Sequence, residues 1–541
     1  MYHSADVLIF EAESYNEYNP MKYKFGGSET NQKTVLDHPS GLFVLFFTEM
    51  WERFSYYGMR AILVLFLISS ILEEGGWGWE RAEALELYAI YTGLVYLTPI
   101  LGGFLADKYL GYRNSIIAGA LLMTLGHASL AFEGFTELFF FLGLALIIMG
   151  NGLFKPNISS IVGQLYKNQG KEKDAGYTIF YMGINSGAFL GILLCGYIGE
   201  KIGWHFGFGL AGIFMFFGML QFYFSQNIFG KIGLSPARSQ DFIQKDEEQK
   251  KPLETLSKKV VRDRLIVISI FSFFVIFFWW AFEQAGGSMT IFAADYTDRL
   301  LVGSDALTFK VFNTLLTVIP MLIITWVLLM LFKQTFSKFA LSNVFLGISF
   351  MIVWIVVIWM LERELRLEST EVPASWFGIL NSFYIITFAP LISKIWQSKF
   401  NPSGPIKFSI ALILMGLGFA TLSYGSMGIP LGAQTASVSM IFLILAYLFH
   451  TLGELCISPV GLSYVSKLAP VKLVGLMFGV WFVANFVANY MAGITGSYID
   501  PIVEEYGMTT FFLIFTIIPI VAGMIMWMLN NTLLKLMHGV R

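Results

Sequence analysis

Charge is scarce in this sequence. Of 541 residues only 13% are Asp, Glu, Lys or Arg, about half the share of an ordinary soluble domain. A water-soluble chain of this length cannot cover its surface with so few charges, which excludes a soluble enzyme. Cysteine is nearly absent. Cys195 and Cys456 are the two, both in apolar runs, so no disulfide framework exists and the redox compartment is not encoded. Charge of one sign is not in excess either: 35 Lys and Arg stand against 37 Asp and Glu, leaving no electrostatic footprint for nucleic acid. The HExxH pattern of zinc proteases is missing. The stretch from Gly150 to Lys155 lacks the continuation of a phosphate-binding loop, since Pro156 follows. No ATP, metal or other cofactor is expected. Disorder is excluded as well, because 53 Phe, 24 Tyr and 13 Trp are the opposite of a solvated composition.

What is present is apolar. Hydrophobic residues make up 56% of the chain, gathered into runs of the roughly 20 residues that a membrane-spanning helix needs. Spans are expected near 41–70, 84–106, 113–132, 136–165, 175–199 and 206–228. A charged linker, 229–264, follows, expected to be part helical and amphipathic and to act as a solvated tether. Further spans fall near 265–293, 307–332, 340–361, 374–396, 406–425, 437–465, 472–497 and 509–534. The runs are too long and continuous for a β-barrel, whose strands alternate over about ten residues. Residues 1–40 are polar and tyrosine-rich, and their one apolar patch, 7–10, is too short for a signal-peptide core. The first span is therefore expected to serve as an uncleaved anchor.

Lys and Arg set the orientation. One series of connections carries Lys108 and Arg113, then Lys167, Lys171 and Lys173, the linker, Lys333 and Lys338, Lys394, Lys399 and Lys407, Lys467 and Lys472, and the tail 535–541. The alternate series carries Glu73, Glu74 and Glu80, Glu133 and Glu137, Asp295 and Asp298, Glu362, Glu364 and Glu368, and Asp500, Glu504 and Glu505. Both termini are thus expected in the cytoplasm, in a multi-pass protein of the cytoplasmic membrane.

The run from Gly102 to Arg113 looks like the cytoplasmic loop of major facilitator transporters. Its glycines permit close helix approach, and Asp107 can pair with Arg113 or with a helix end. A degenerate partner runs from Pro390 to Lys407. That match makes 374–396 the second helix of a second half beginning at 265, and makes 307–361 an inserted helix pair. The expected fold is all-α: two six-helix bundles, 41–228 and 265–534, around a central cavity.

Ionisable residues inside spans cost about 2.5–3.5 kcal/mol each on insertion scales and signal function. Glu49, Glu52, Arg53 and Arg60 lie in the first span, Lys155 in the fourth, Glu283 in the seventh and Glu454 in the twelfth. Glu49, Glu52, Arg53, Tyr56, Tyr57 and Arg60 recur at spacings of three and four, so they share a helical face. Two carboxylates compete there for one guanidinium, and the loser is free to take a proton.

These residues also carry a family resemblance. The segment from Glu49 to Gly58 resembles the ExxERFxYY signature of the proton-dependent oligopeptide transporters. Phe180 to Ala188, Phe154-Lys155-Pro156-Asn157 and Gly453 to Pro459 are similar to further signatures of that family. So are Phe282-Glu283-Gln284 and Ser375-Trp376-Phe377 with Asn381. The resemblance covers residues 38 to about 497. It implies proton-driven uptake of di- and tripeptides, by a protein expected to be a monomer in lipid. Glu49, Glu52, Arg53, Glu283 and Glu454 would couple protons. Arg53, Arg60 and Lys155 would meet the peptide carboxylate. Glu454, with Asn185 and Asn381, would hold the amino terminus. Glu283 would pair with Arg60 in an outer gate. Tyr57, Tyr96 and Trp481 would line side-chain pockets, with Tyr56 and Ser458 also at the substrate. One departure stands out: the extra helix pair of bacterial relatives is associated with the connection between halves, whereas here the surplus pair follows Glu283.

The rival cargo on the same scaffold is a small anion such as nitrate or a conjugated acid. Glu454 argues against a purely anionic cargo. A channel or a membrane enzyme fits less well, since charged residues in both halves favour alternating access. His127 and His450 are read as packing residues within spans.

Overall fold

The computed structural model describes residues 23–72, 74–166, 170–236, 257–398, 400–470 and 473–540. The expected amphipathic linker helix falls mostly on residues outside this set, as do residues 1–22 and Glu73, Lys167, Lys399 and Lys472.

Apolar runs of span length become helices because a backbone in lipid has no other way to satisfy its own polar groups. The first half holds α1 (Ser40–Ile68), α2 (Arg81–Leu105), α3 (Tyr112–Ala131), α4 (Glu137–Leu165), α5 (Lys171–Lys201) and α6 (Trp204–Ser225). After the linker come α7 (Lys258–Phe282), prolonged by short turns to Tyr296, then α8 (Gly303–Thr335) and α9 (Ala340–Arg366). The rest are α10 (Ile379–Gln397, entered through a tight turn at Ala374–Gly378), α11 (Gly404–Gly425), α12 (Ile441–Leu468), α13 (Val474–Ser497) and α14 (Ile499–Leu536). The last breaks at Gly507, whose φ of 84° is left-handed, so its long apolar part begins at 508. Thirteen of these elements are long and apolar enough to cross a membrane. The remaining one, α1, has 29 residues and carries four ionisable side chains.

Packing repeats between the halves. In the first, α1 lies on α5 and α6, α3 on α4 and α6, and α2 on α4. In the second, α7 lies on α13 and α14, α11 on α12 and α14, and α10 on α12. The two patterns coincide when α7 is matched to α1 and α10–α14 to α2–α6. The halves meet where α2 packs on α13 and α5 on α10. The expected all-α architecture of two six-helix bundles plus a pair is what forms, with α8 and α9 inserted between α7 and α10. That pair leaves and re-enters through a ribbon, Leu300–Leu301 antiparallel to Thr370–Glu371. Although it belongs to the second half of the sequence, α9 leans on the first. Ser342 donates to the Gln221 carbonyl at 2.7 Å, and Phe350 packs edge-on against Trp51 and Phe47.

The 102–113 loop differs in detail from its reading. Asp107 stands beside the Tyr112 hydroxyl, while Arg113 donates to the Ile232 carbonyl at 2.6 Å, tying the turn to the chain leaving α6. Only one of the paired glycines is needed for close approach. A Cβ on Gly102 would lie 1.9 Å from the Gly152 carbonyl oxygen, whereas one on Gly103 meets nothing nearer than 4.0 Å.

A similarly close helix contact carries α1. Gly183, Gly187 and Gly191 stand four apart on one face of α5, and a Cβ at Gly187 would fall 2.1 Å from the Met50 carbonyl oxygen. Such a small-residue stripe lets two backbones touch where larger side chains would hold them apart. Gly187→Leu is expected to destabilise the protein by about 1–3 kcal/mol or more through overpacking, seen as a lowered unfolding temperature in detergent. Gly103→Leu should leave that temperature unchanged.

Candidate functional site

The glycine contact sets the backbone of α1 against α5 and buries its polar face. Glu49, Glu52 and Arg53 are each at most 3% exposed. Arg53 Nε lies 2.9 Å from Glu49 Oε1 and 2.5 Å from Glu52 Oε2. Asn151 of α4 donates to the other Glu52 oxygen at 3.1 Å. Two carboxylates around one guanidinium leave a negative charge that only the more distant Lys155 or a proton can offset. The guanidinium also lies over the Tyr56 ring at 5.6 Å, and Tyr56 meets Tyr57 edge to face at 5.1 Å. On α4, Lys155 sits with its ammonium 4.5 Å from the centre of the Tyr96 ring.

One turn and more beyond Arg53, Arg60 reaches out of the first half. It bonds Glu283 at the end of α7, and its Nε donates to the Tyr88 hydroxyl at 2.7 Å. The pair anticipated from the sequence is therefore formed. In the second half, Glu454 on α12 is held by an amide rather than by a cation. Asn381 Nδ2 donates to its Oε2 at 2.8 Å and to Thr451 Oγ1 at 3.1 Å.

Between the halves lies a cavity of about 180 Å³, smaller than the roughly 300–1,000 Å³ of most ligand sites. A peptide-sized guest would therefore require the bundles to part. Tyr57, Arg60, Tyr181 and Asn185 line it from the first half, and Phe282, Ser375, Asn381, Tyr447, His450 and Glu454 from the second. The structure thus brings five of the expected substrate residues to one space: Tyr57, Arg60, Asn185, Asn381 and Glu454. Arg53, Tyr56, Tyr96, Lys155, Ser458 and Trp481 are not among the residues of its wall, and neither are Glu49, Glu52 and Glu283. Trp481 instead packs against α12 at Gly461.

The sequence reading passed over Tyr181 and Tyr447 and took His450 for packing alone. Helical spacing could have found the last two, since positions 447, 450, 451 and 454 share one face of α12. It also passed over bases at the end of the bundle remote from the chain termini. Arg81 bonds Asp295 at 2.6 Å and Asp500 at 2.8 Å, and Lys201 bonds Glu371 at 2.7 Å. These pairs and Arg60–Glu283 all join the halves at that end. The Arg81 and Lys201 pairs border a polar vestibule of about 1,050 Å³. Glu371, in the loop before α10, is held below the ordinary carboxylate range: partial burial opposes this, but the Lys201 hydrogen bond and the Arg299 charge prevail.

Comparison with known proteins fits this arrangement. The model of the POT family matches residues 113–245 and 353–512. An uncharacterized transporter of Bacillus subtilis, YclF, is 34% identical over 526 residues, covering 94% of this chain and 97% of the relative. A di-/tripeptide transporter of Lactococcus lactis subsp. cremoris is 32% identical over 535 residues, covering 94% and 99%. A solved peptide transporter POT in complex with sulfate superposes with a TM-score of 0.71 at 29% identity, covering 94% of this chain and 97% of the other. A POT family transporter in complex with 5-aminolevulinic acid gives 0.71 at 26% identity, covering 93% and 98%. With the family model over more than half of its length and relatives above 30% identity along nearly all of it, this multi-pass membrane protein belongs to the POT family, and its two bundles have the major facilitator fold.

Proposed function

We propose that the protein imports di- and tripeptides together with protons by alternating access across the cytoplasmic membrane, as a monomer with both termini in the cytoplasm. The observation that carries this is the pair of opposite poles on the cavity wall. Glu454 enters from one half without a cationic partner, and Arg60 from the other. A zwitterionic peptide needs an anionic pole for its amine and a cationic pole for its carboxylate, set in a partly desolvated space where charge-assisted bonds are strong. The peptide amine goes to Glu454, beside Asn381 and Asn185. The carboxylate goes to Arg60 and, as the cavity widens toward α4, to Lys155, whose ring contact is more easily exchanged than an ion pair. Walls of Tyr57, Tyr181, Phe282 and Tyr447 accept many side chains, because stacking demands little specific geometry. Relatives named as di-/tripeptide transporters support the same cargo. A purely anionic cargo would face Glu454 uncompensated.

In this reading the vestibule end is the outer face, and the arrangement seen here is closed to it. Opening that face separates Arg60 from Glu283 and strands a carboxylate in an apolar wall, so Glu283 takes a proton from outside. The Glu49–Glu52–Arg53 cluster takes the next, which neutralises its surplus charge. Peptide binding then lets the outer end shut with Glu283 still protonated. The protons leave with the peptide on the inner side, and the Arg60–Glu283 pair re-forms as Glu283 gives up its proton. Coupling rests on the different proton and peptide affinities of the two arrangements. Peptides, protons and surrounding lipid are the partners required.

Purified protein in liposomes should concentrate labelled dialanine under an inward proton gradient, and an uncoupler should collapse the accumulation. Correctly inserted protein without uptake would move the cargo to another small solute. Glu52→Gln should abolish accumulation yet leave peptide counterflow, and surviving accumulation would remove Glu52 from the proton path. Glu454→Gln should raise the KM for dialanine about 10- to 100-fold, the loss expected for one hydrogen bond to a charged group. Inhibition by N-acetyl-dialanine, which lacks the amine, should hardly change.

A further inference from the structure

At the seam between α5 and α10 one carboxylate divides two spaces. Glu200, near the end of α5, borders the polar vestibule, whereas Ser375, at the entry to α10, borders the central cavity. The two residues are bonded to each other. The Glu200 carboxylate accepts from the backbone N–H of Ala374 at 2.8 Å, from the backbone N–H of Ser375 at 2.9 Å, and from the Ser375 hydroxyl. These are the first amides of the Ala374–Gly378 turn, which would otherwise lack partners at a helix start. The residue that usually supplies such a cap is here Pro373, which makes no side-chain capping bond. The cap therefore comes from the opposite bundle. A carboxylate is well suited to it, because the amino-terminal end of a helix carries partial positive charge.

The neighbourhood is shaped around this contact. A Cβ on Gly196 would fall 2.3 Å from Ser375 Oγ, so glycine there lets α10 reach α5. Trp376 Nε1 donates to the Leu193 carbonyl at 3.0 Å, a second bond across the same seam. The adjacent Lys201 and Glu371 pair spans the seam on its vestibule side.

We propose that Glu200 is a positioning residue of the transport cycle. It latches α5 to α10 by capping the second half's helix from the first half, and so holds the wall between vestibule and cavity shut. This rests on the alternating-access reading above. Arg60 joins α1 to the end of α7, Arg81 joins α2 to the turn after α7 and to the start of α14, and Glu200 closes the α5–α10 side. Opening the outer face must break three hydrogen bonds to one carboxylate together, which makes the seam a cooperative element rather than a row of independent contacts.

The test reads the wall directly and needs neither peptide nor proton gradient, so its outcome is separate from that of the cargo assignment. Ala188 lines the cavity from α5. Ala188→Cys, in a background with Cys195→Ala and Cys456→Ala, is labelled with a membrane-impermeant maleimide applied from the outer face. Glu200→Ala should raise the labelling rate about 3- to 30-fold, the population shift that loss of a helix cap produces. Ser375→Ala, which removes one of the three bonds, should raise it less, and Glu200→Gln should fall between the parent and Glu200→Ala. An unchanged rate in monodisperse Glu200→Ala protein overturns the proposal, even if its unfolding temperature drops. Where Glu200→Ala does not fold, unchanged rates in both Glu200→Gln and Ser375→Ala overturn it equally.

Discussion

A charge placed inside a lipid-embedded bundle has to be met by another group, and that constraint organises this protein. Arg53 meets Glu49 and Glu52 within one helix. Arg60 meets Glu283 across the two halves. The second pairing works only at one distance between its helices, so the charges do more than lower an insertion cost. They make the arrangement of the bundles depend on which groups carry protons. Glu454 is the exception that gives the cavity a purpose. Its carboxylate is met by an amide, and a full counter-charge is left for a guest to bring.

The rest of the fold keeps these charges at bonding distance. The glycine face of α5 draws α1 inward, and α6 and α9 close over Trp51 on its other side. The functional groups are thus carried on packed helices, where their directions are fixed by neighbours, and little depends on loops.

Much of this was legible in the sequence, for identifiable reasons. Apolar runs of fixed length gave the helices, because lipid removes every alternative for the backbone. Charged residues within those runs stood out against so sparse a background, and the three-and-four spacing put four of them on one face with Tyr56 and Tyr57. What escaped was of two kinds. The α5 glycine stripe was visible as residues four apart, but its partner on α1 was not, since contact between helices is a property of pairs. Arg81, Lys201 and Glu200 lie at helix ends, where a charged residue looks like an ordinary solvated terminus. Their bonds to Asp295, Asp500, Glu371 and Ser375 join segments more than 150 residues apart, and no local spacing encodes that. The separation of Lys155, Tyr96 and Trp481 from the cavity wall has the same origin: a helix face is readable from one sequence, but its depth relative to other helices is not.

The inserted pair α8–α9 is closed at its neck. Its two ends run side by side as an antiparallel ribbon of two residues each, and neighbouring strands lie about 4.8 Å apart. The chain therefore returns to almost the place it left, on the same side of the membrane. A hairpin joined in this way can be gained or lost by a genome without altering the path or the direction of any other helix. Such an insertion is neutral to topology.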